Sequence, residues 1–324
     1  MRADRFLLSI ILWAGFISAA GSDAAARSGR DTFSESALRS KVEFLSDSLC
    51  AGRGSGTAGG SEAAFWLVRQ FSKANLTPLG RFGHSFALPD KAGHNIIGSI
   101  PGHGSGKYII IMAHYDNLGT LEGKFYPGAD SNASGVAALL SLAEAFSQER
   151  KAACGTSAPT LIFAALDGRQ ANMAGAYALC SELLDSKLRD PRTGFTIGKE
   201  DILQVVNLDI VGSVLAPLDA ERPDYLIMLG GEGYQRDLLS FLNRSQDIGL
   251  DLGFDYYGSR EFTELFYRRI CDQRPFLENG IPSVLFTSGI TLRTNRTDDV
   301  PSSLDYGVLR RRVELIYHWI SMLR

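Results

Sequence analysis

The chain lacks most of the features that announce a specialised class. Only four of its 324 residues are cysteine (Cys50, Cys154, Cys180, Cys271), and none form a Cys-x-x-Cys pair. That spacing excludes a cysteine-built zinc site and a disulfide-dense scaffold. It leaves both a Cys154–Cys180 disulfide and buried free thiols open. No basic cluster stands out and the formal net charge is −3, so neither nucleic acid nor a strongly electrostatic partner is expected. Histidine is scarce too, five in all, with none between His114 and His318.

Long hydrophobic runs are also missing, except at the N-terminus. There Arg2 and Arg5 precede an apolar stretch at residues 6–17, followed by Ser18-Ala19-Ala20-Gly21. That order is the signature of a secretory signal with cleavage near Ala20. The stretch falls short of the roughly 20 residues that span a membrane, and no cysteine follows it to carry a lipid. Residues 1–20 therefore read as a signal peptide, 21–31 as a polar linker, and 32–324 as a single domain. The expected product is an exported protein, periplasmic or secreted, without a membrane span after cleavage.

What is present is a regular alternation. Helical periodicity at 36–46 is followed by a glycine-rich loop, Ala51-Gly52-Arg53-Gly54-Ser55-Gly56-Thr57-Ala58-Gly59-Gly60, and a helix at 61–74. No strand precedes that loop and no Gly-Lys-Ser/Thr closes it, so it reads as a flexible connector rather than a phosphate cradle. Strand-like runs follow at 95–100, 108–113, 160–166, 203–210, 225–229 and 283–287. Helices fall between or after them at 133–148, 171–184, 234–243, 261–270 and from Leu304 onward. The fold class this predicts is α/β, a mixed and mostly parallel central sheet with helices on both faces, as a three-layer sandwich.

Chemistry-bearing residues sit where such strands end. The apolar run Tyr108-Ile109-Ile110-Ile111-Met112-Ala113 delivers His114-Tyr115-Asp116, and Asp130-Ser131-Asn132-Ala133-Ser134-Gly135 opens a helix. Asp167-Gly168-Arg169-Gln170 follows another strand, and Asn207-Leu208-Asp209-Ile210 ends a third. Apolar strands that finish on aspartate are costly unless the carboxylate is paired or bound to metal. Helix caps and solvated loop acids explain any one of these residues, but poorly explain all together. One histidine and several carboxylates at the ligand-binding edge of a parallel sheet suggest a nitrogen- and oxygen-liganded metal.

These motifs resemble metallopeptidase family 28, the co-catalytic di-zinc aminopeptidases. The likeness runs through Leu45-Ser46-Asp47 and Gly52-Arg53-Gly54-Ser55-Gly56-Thr57, through His114-Tyr115-Asp116 and the Gly128–Ala137 stretch, and on to Asn207–Gly212, Pro275-Phe276 and Gly280-Ile281-Pro282. The resemblance implies that His114, Asp130 and Asp209 hold one zinc, with Asp116 orienting the histidine. It also exposes departures. The family's Asp-Gly-Glu-Glu is here Asp167-Gly168-Arg169-Gln170, so Arg169 stands at the general base and Gln170 at a metal ligand. Asn295 stands at the last ligand, a histidine in the family, and Gln273 replaces another histidine common there.

Arginine cannot accept a proton at useful pH, and neutral amides are weak zinc ligands. The expectation is therefore at most one zinc, no intact catalytic base, and a guanidinium at Arg169 that supplies charge the second metal would bring. Asp167 and Glu122 are the nearby acids that could be recruited as a base. Two functional readings follow: an impaired or inactive homologue that binds peptide or amino-acid-like ligands, or an active aminopeptidase with a non-standard base. Likeness to the one-zinc glutaminyl cyclases of the same superfamily is weaker at the site, since they rely on the glutamate and histidine missing here. Ligand specificity is expected from loops 256–258 and 288–294.

Overall fold

The computed structural model describes residues 33–79, 83–88, 93–152, 158–213 and 222–323. The expected signal and linker, and Cys154, lie outside these residues. Cys180 is buried and free, with its thiol donating to Pro275 O at 3.4 Å, and Cys50 and Cys271 are likewise free. The Cys154–Cys180 pairing left open by the sequence involves a residue outside those described.

In chain order the strands are β1 (Thr77–Pro78), β2 (Ser85–Ala87), β3 (His94–Ile100), β4 (Gly104–His114), β5 (Thr120–Leu121), β6 (Lys124–Phe125), β7 (Ala158–Leu166), β8 (Ile202–Leu208), β9 (Tyr225–Gly230), β10 (Asp251–Gly253) and β11 (Ser283–Thr287). The helices are α1 (Glu35–Leu45), α2 (Ala58–Lys73), α3 (Ser134–Ala152), α4 (Ala174–Leu184), α5 (Gly233–Ser245), α6 (Arg260–Arg268), α7 (Arg274–Glu278) and α8 (Tyr306–Met322). One sheet runs β1-β3-β7-β4-β8-β11-β9-β10, with β2 on β3, while β5 and β6 form a separate hairpin. The central strands β7, β4, β8 and β11 are mutually parallel, and β3 and β9 flank them antiparallel.

The continuous apolar character of β4 follows from burial of both its faces. Ile109, Ile111 and Ala113 join the core beneath α1, α3 and α8, together with Leu139, Phe146 and Trp319. Tyr108, Ile110 and Met112 point the other way, into the layer built with Leu179, Leu183 and Phe276 of α4 and α7. This is the predicted mixed sheet with helices on both faces. From β4 the chain passes through α3 to β7 on one side, and β8 then pairs with β4 on the other. Strand order thus reverses at β4, and such a reversal opens a crevice at the strand's carboxyl end, where ligands bind. His114 ends β4.

The glycine-rich loop corrects its reading as a flexible connector. Residues Ser48–Arg53 form a short helical turn in which Ala51, Gly52 and Arg53 all take positive φ. A Cβ on Gly52 would lie 2.5 Å from Gly119 O and 2.6 Å from Tyr126 O, so glycine is needed for close backbone approach. The loop presents Arg53, fully buried, whose Nε donates to Tyr115 O at 2.7 Å. Its Nη1 donates to Leu45 O and to Pro127 O (2.7 Å), and its Nη2 to Gly128 O at 2.8 Å. One guanidinium therefore ties α1 to the loop after His114 and to the turn before Asp130.

Removing it would strand four carbonyls, and each buried orphan costs about 1–3 kcal/mol. Arg53→Met is expected to lower unfolding free energy by more than about 3 kcal/mol, read from urea denaturation. Arg53→Lys should recover little, because an ammonium lacks the planar fork. A loss below about 1 kcal/mol for Arg53→Met would show that water replaces the clamp.

Candidate metal centre

Four loops converge at the carboxyl edge of the parallel strands. His114 Nε2 donates to Asp209 Oδ1 at 3.2 Å, and His114 Nδ1 lies 3.0 Å from Asp116 O and 3.7 Å from the Asp116 carboxylate. That carboxylate also accepts Arg169 N at 2.9 Å and Gln170 N at 3.2 Å, fixing the loop after β7 against the histidine. Arg169 Nη2 stands 3.8 Å from Asp209 Oδ2, and its Nε stands 3.5 Å from Asp272 Oδ2. His114, Asp209 and Asp272 are buried, and one ligand atom from each lies within 4.8 Å of the others.

Of the sequence-assigned ligands, His114 and Asp209 belong to this group and Asp130 does not. Asp130 lies in a tight turn, Ala129–Ala133, introduced by Gly128 at φ +59. Its Oδ1 accepts Gly212 N (2.8 Å), Ser213 N (3.1 Å) and Ser134 Oγ (3.0 Å), and Oδ2 has no hydrogen-bond partner. Asp299 grips the same turn through Asp130 N (2.8 Å) and Ser131 N (3.1 Å). One oxygen of Asp130 thus faces the backbone beyond β8, and the other is left unpartnered.

The third member of the group is Asp272, which the sequence reading passed over. It sits between α6 and α7, immediately before Gln273 and the proline-started turn Arg274-Pro275. The signal available was its place directly before Gln273 and a motif already recognised, Pro275-Phe276. Gln273 itself bridges Asn207 Nδ2 (2.8 Å) to the Phe266 and Tyr267 carbonyls, a structural role. Neither acid considered for recruitment as a base is placed for it. Asp167 Oδ2 accepts Tyr115 Oη (2.8 Å) and His94 N (3.0 Å), and Oδ1 accepts Gly168 N (2.7 Å). Glu122 is exposed in the β5–β6 hairpin. Gln170 and Asn295 are exposed, and Asn295 takes φ +61.

The electrostatics follow from burial against pairing. Burial alone would depress the His114 pKa, but Asp209 and then Asp116 raise it from 6.5 to about 10. Burial likewise disfavours the Asp209 anion, yet His114 and Arg169 hold it well below the usual carboxylate range. Burial lifts Asp272 to about 6, offset in part by Arg169 and His114. Asp299 rises to about 7 through burial and the proximity of Asp130. The Arg169 charge is held despite burial by Asp209 and Asp272.

One imidazole nitrogen and two carboxylates suit a single zinc. Two ligands of a tetrahedral zinc sit roughly 3.3 Å apart for bonds of about 2.0–2.1 Å, and His114 Nε2 and Asp209 Oδ1 are 3.2 Å apart. Among the described residues no second such group of three occurs. The donors fit one ion and do not fit a pair.

In metal-free protein the raised His114 pKa makes its ion pair a stabilising contact that is complete below pH 6.5 and fades as pH rises to about 10. NMR titration should therefore show His114 still as imidazolium at pH 8. A midpoint near 6.5 would mean that Asp209 does not pair with it.

Loops 256–258 and 288–294 meet beside this centre. Tyr257 Oη donates to Ser288 O at 2.8 Å, Ile290 N donates to Tyr256 Oη at 2.8 Å, and Ser288 N donates to Ile210 O, next to Asp209, at 2.7 Å. Exposed Phe262, Ile290 and Leu292 are carried by or adjoin these loops.

Comparison with known proteins agrees with this architecture. Leucine aminopeptidase 1 of Arthroderma gypseum is 29% identical over 172 residues, which are 49% of this chain and 41% of the relative. The matched segment is thus less than half the length of that relative. The crystal structure of LapB from Legionella pneumophila superposes with a TM-score of 0.68 at 16% identity, covering 93% of this chain and 75% of that one. BSAP, a zinc aminopeptidase from Bacillus subtilis, gives 0.52 at 19% identity over 71% and 50% of the two chains. The sequence pattern of Peptidase family M28 matches residues 95–320, most of the chain and every loop of the centre, so the protein belongs to that family.

Proposed function

We propose that this chain is an exported member of the family whose cleft binds peptide or amino-acid-like ligands and has largely lost the ability to hydrolyse them. The observation that carries the reading is Arg169, whose guanidinium lies between Asp209 and Asp272. Hydrolysis needs a group there that takes a proton from water and passes it to the leaving amine. A guanidinium cannot do so. A zinc ion, when bound, would polarise a carbonyl or water. His114, Asp209 and Asp272 are the side chains able to hold it, and Asp116 would orient His114. Export is supported by Arg2, Arg5 and the apolar stretch that follows. Among the described residues, no helix is long and apolar enough to cross a membrane.

A second reading keeps catalysis, and one observation favours it. Asp272 is buried beside His114 with a pKa of about 6, suited to a base working near neutral pH. The two readings separate in an assay of aminoacyl-anilides and dipeptides. The unaltered protein is expected to show little or no turnover, since loss of acid–base assistance alone removes about 10²–10⁴-fold. Arg169→Glu should not restore it, because Gln170 and Asn295 face solvent. Calorimetry with the same dipeptides and free amino acids should still register binding. Efficient cleavage that disappears in both His114→Ala and Asp272→Asn would sink the binding reading in favour of the second.

A further inference from the structure

The family resemblance assigns a metal to His114, Asp130 and Asp209, whereas the fold brings together His114, Asp209 and Asp272. One oxygen of Asp130 is committed elsewhere. Turning its carboxylate into the cleft would break contacts with Gly212 N, Ser213 N and Ser134 Oγ, while Asp299 holds its backbone in place. The other oxygen of Asp130 is buried and unpartnered as well, but Asp130 does not converge with His114 and Asp209, whereas Asp272 does. Asp272 is 1% exposed, its Oδ2 has no hydrogen-bond partner, and the nearest cationic atom, Arg169 Nε, is also without one. Buried polar atoms left in this way are uncommon and call for a missing partner. At 3.5 and 3.8 Å with no hydrogen bond, Arg169 balances the two carboxylates through space and leaves Asp272 Oδ2 free to bond.

We propose that His114, Asp209 and Asp272 form a one-ion site for a divalent transition metal of the zinc kind, that Asp130 takes no part, and that the Arg169 guanidinium competes with the ion for both carboxylates. The inference rests on the reading of this cleft as an altered peptidase centre, and it concerns ligands rather than turnover. Arg169 has somewhere to go: its side chain is already 21% exposed, so it can yield to an ion by turning toward solvent.

The test uses full-length protein stripped with chelator and titrated with Zn²⁺ by calorimetry, and with Co²⁺ by visible absorption. The expected stoichiometry is one ion per chain. Asp272→Asn and His114→Ala should each weaken binding by at least about 100-fold, the upper range for loss of even a supporting contact. Asp130→Asn keeps an oxygen for Gly212 and Ser213, and should stay within about threefold of the unaltered protein. Arg169→Met removes the competing charge and should tighten binding about tenfold or more. If circular dichroism shows Asp272→Asn misfolded, Arg169→Met decides alone, since it alters no ligand. Two ions per chain, a silent Asp272→Asn beside a damaging Asp130→Asn, or an Arg169→Met that fails to tighten would each overturn the assignment. Hydrolysis by the unaltered protein would overturn the proposed function and leave these ligands standing.

Discussion

Asp209 is the carboxylate on which the centre turns. It ends the buried strand β8, lies 3.2 Å from His114 Nε2 and 3.8 Å from Arg169 Nη2, and is 6% exposed. A lone anion at such a place would cost several kcal/mol. Its two cationic neighbours pay that cost, and they in turn depend on it. Without Asp209 the imidazolium would lose its largest support against burial, and Arg169 would keep only Asp272 as an ion-pair partner. Two cations, His114 and Arg169, are set against three carboxylates, Asp209, Asp272 and Asp116, the last also holding the backbone that carries Arg169. An incoming dication must displace at least one resident positive charge, because metal binding and protonation compete for the same ring nitrogen.

Around this cluster, buried polar side chains serve chiefly to fix backbone. Arg53 holds the turns before Asp130 and after His114. Arg312 donates to Val211 O, Ser213 O and Tyr225 O, holding the segment beyond Asp209. Asn132 Nδ2 reaches Leu208 O at 2.8 Å, and its Oδ1 accepts Ile210 N at 2.9 Å, joining the Asp130 turn to the end of β8. Burial lowers the pKa of both arginines to about 10, so they remain charged at neutral pH while bonded to carbonyls. Their charge reaches Asp299 and Asp130, the two acids of the centre that lack a direct cationic partner.

The sheet was legible because burial on both faces writes itself into the sequence. Ile109–Met112 and Leu161–Ala165 are apolar at every position, and the strands expected there were found with ends shifted by only a few residues. Strands β1, β2 and β10 were missed because two or three residues carry no period. The glycine-rich loop misled because glycine permits both mobility and close packing, and composition does not tell them apart. At the centre, strand ends disclosed His114 and Asp209, since a polar residue closing an apolar run is conspicuous. Asp272 lies between two short helices, where no such contrast marks it. The direction Asp130 faces is set by Gly212 and Ser213, more than 80 residues away, and only folding reveals that pairing.

The geometry of the centre is held by groups other than the side chains at 169 and 170. Asp116 binds the loop after β7 through the N–H groups of residues 169 and 170, and backbone amides are indifferent to what their side chains carry. Glutamate can therefore give way to arginine at 169, and to glutamine at 170, without moving the loop. Asp299 holds Asp130 and Ser131 by the same means. The scaffold places positions, and the side chains at those positions decide what is done there. For this reason likeness of fold identifies the family of the chain, while the four side chains at its centre must be read for its activity.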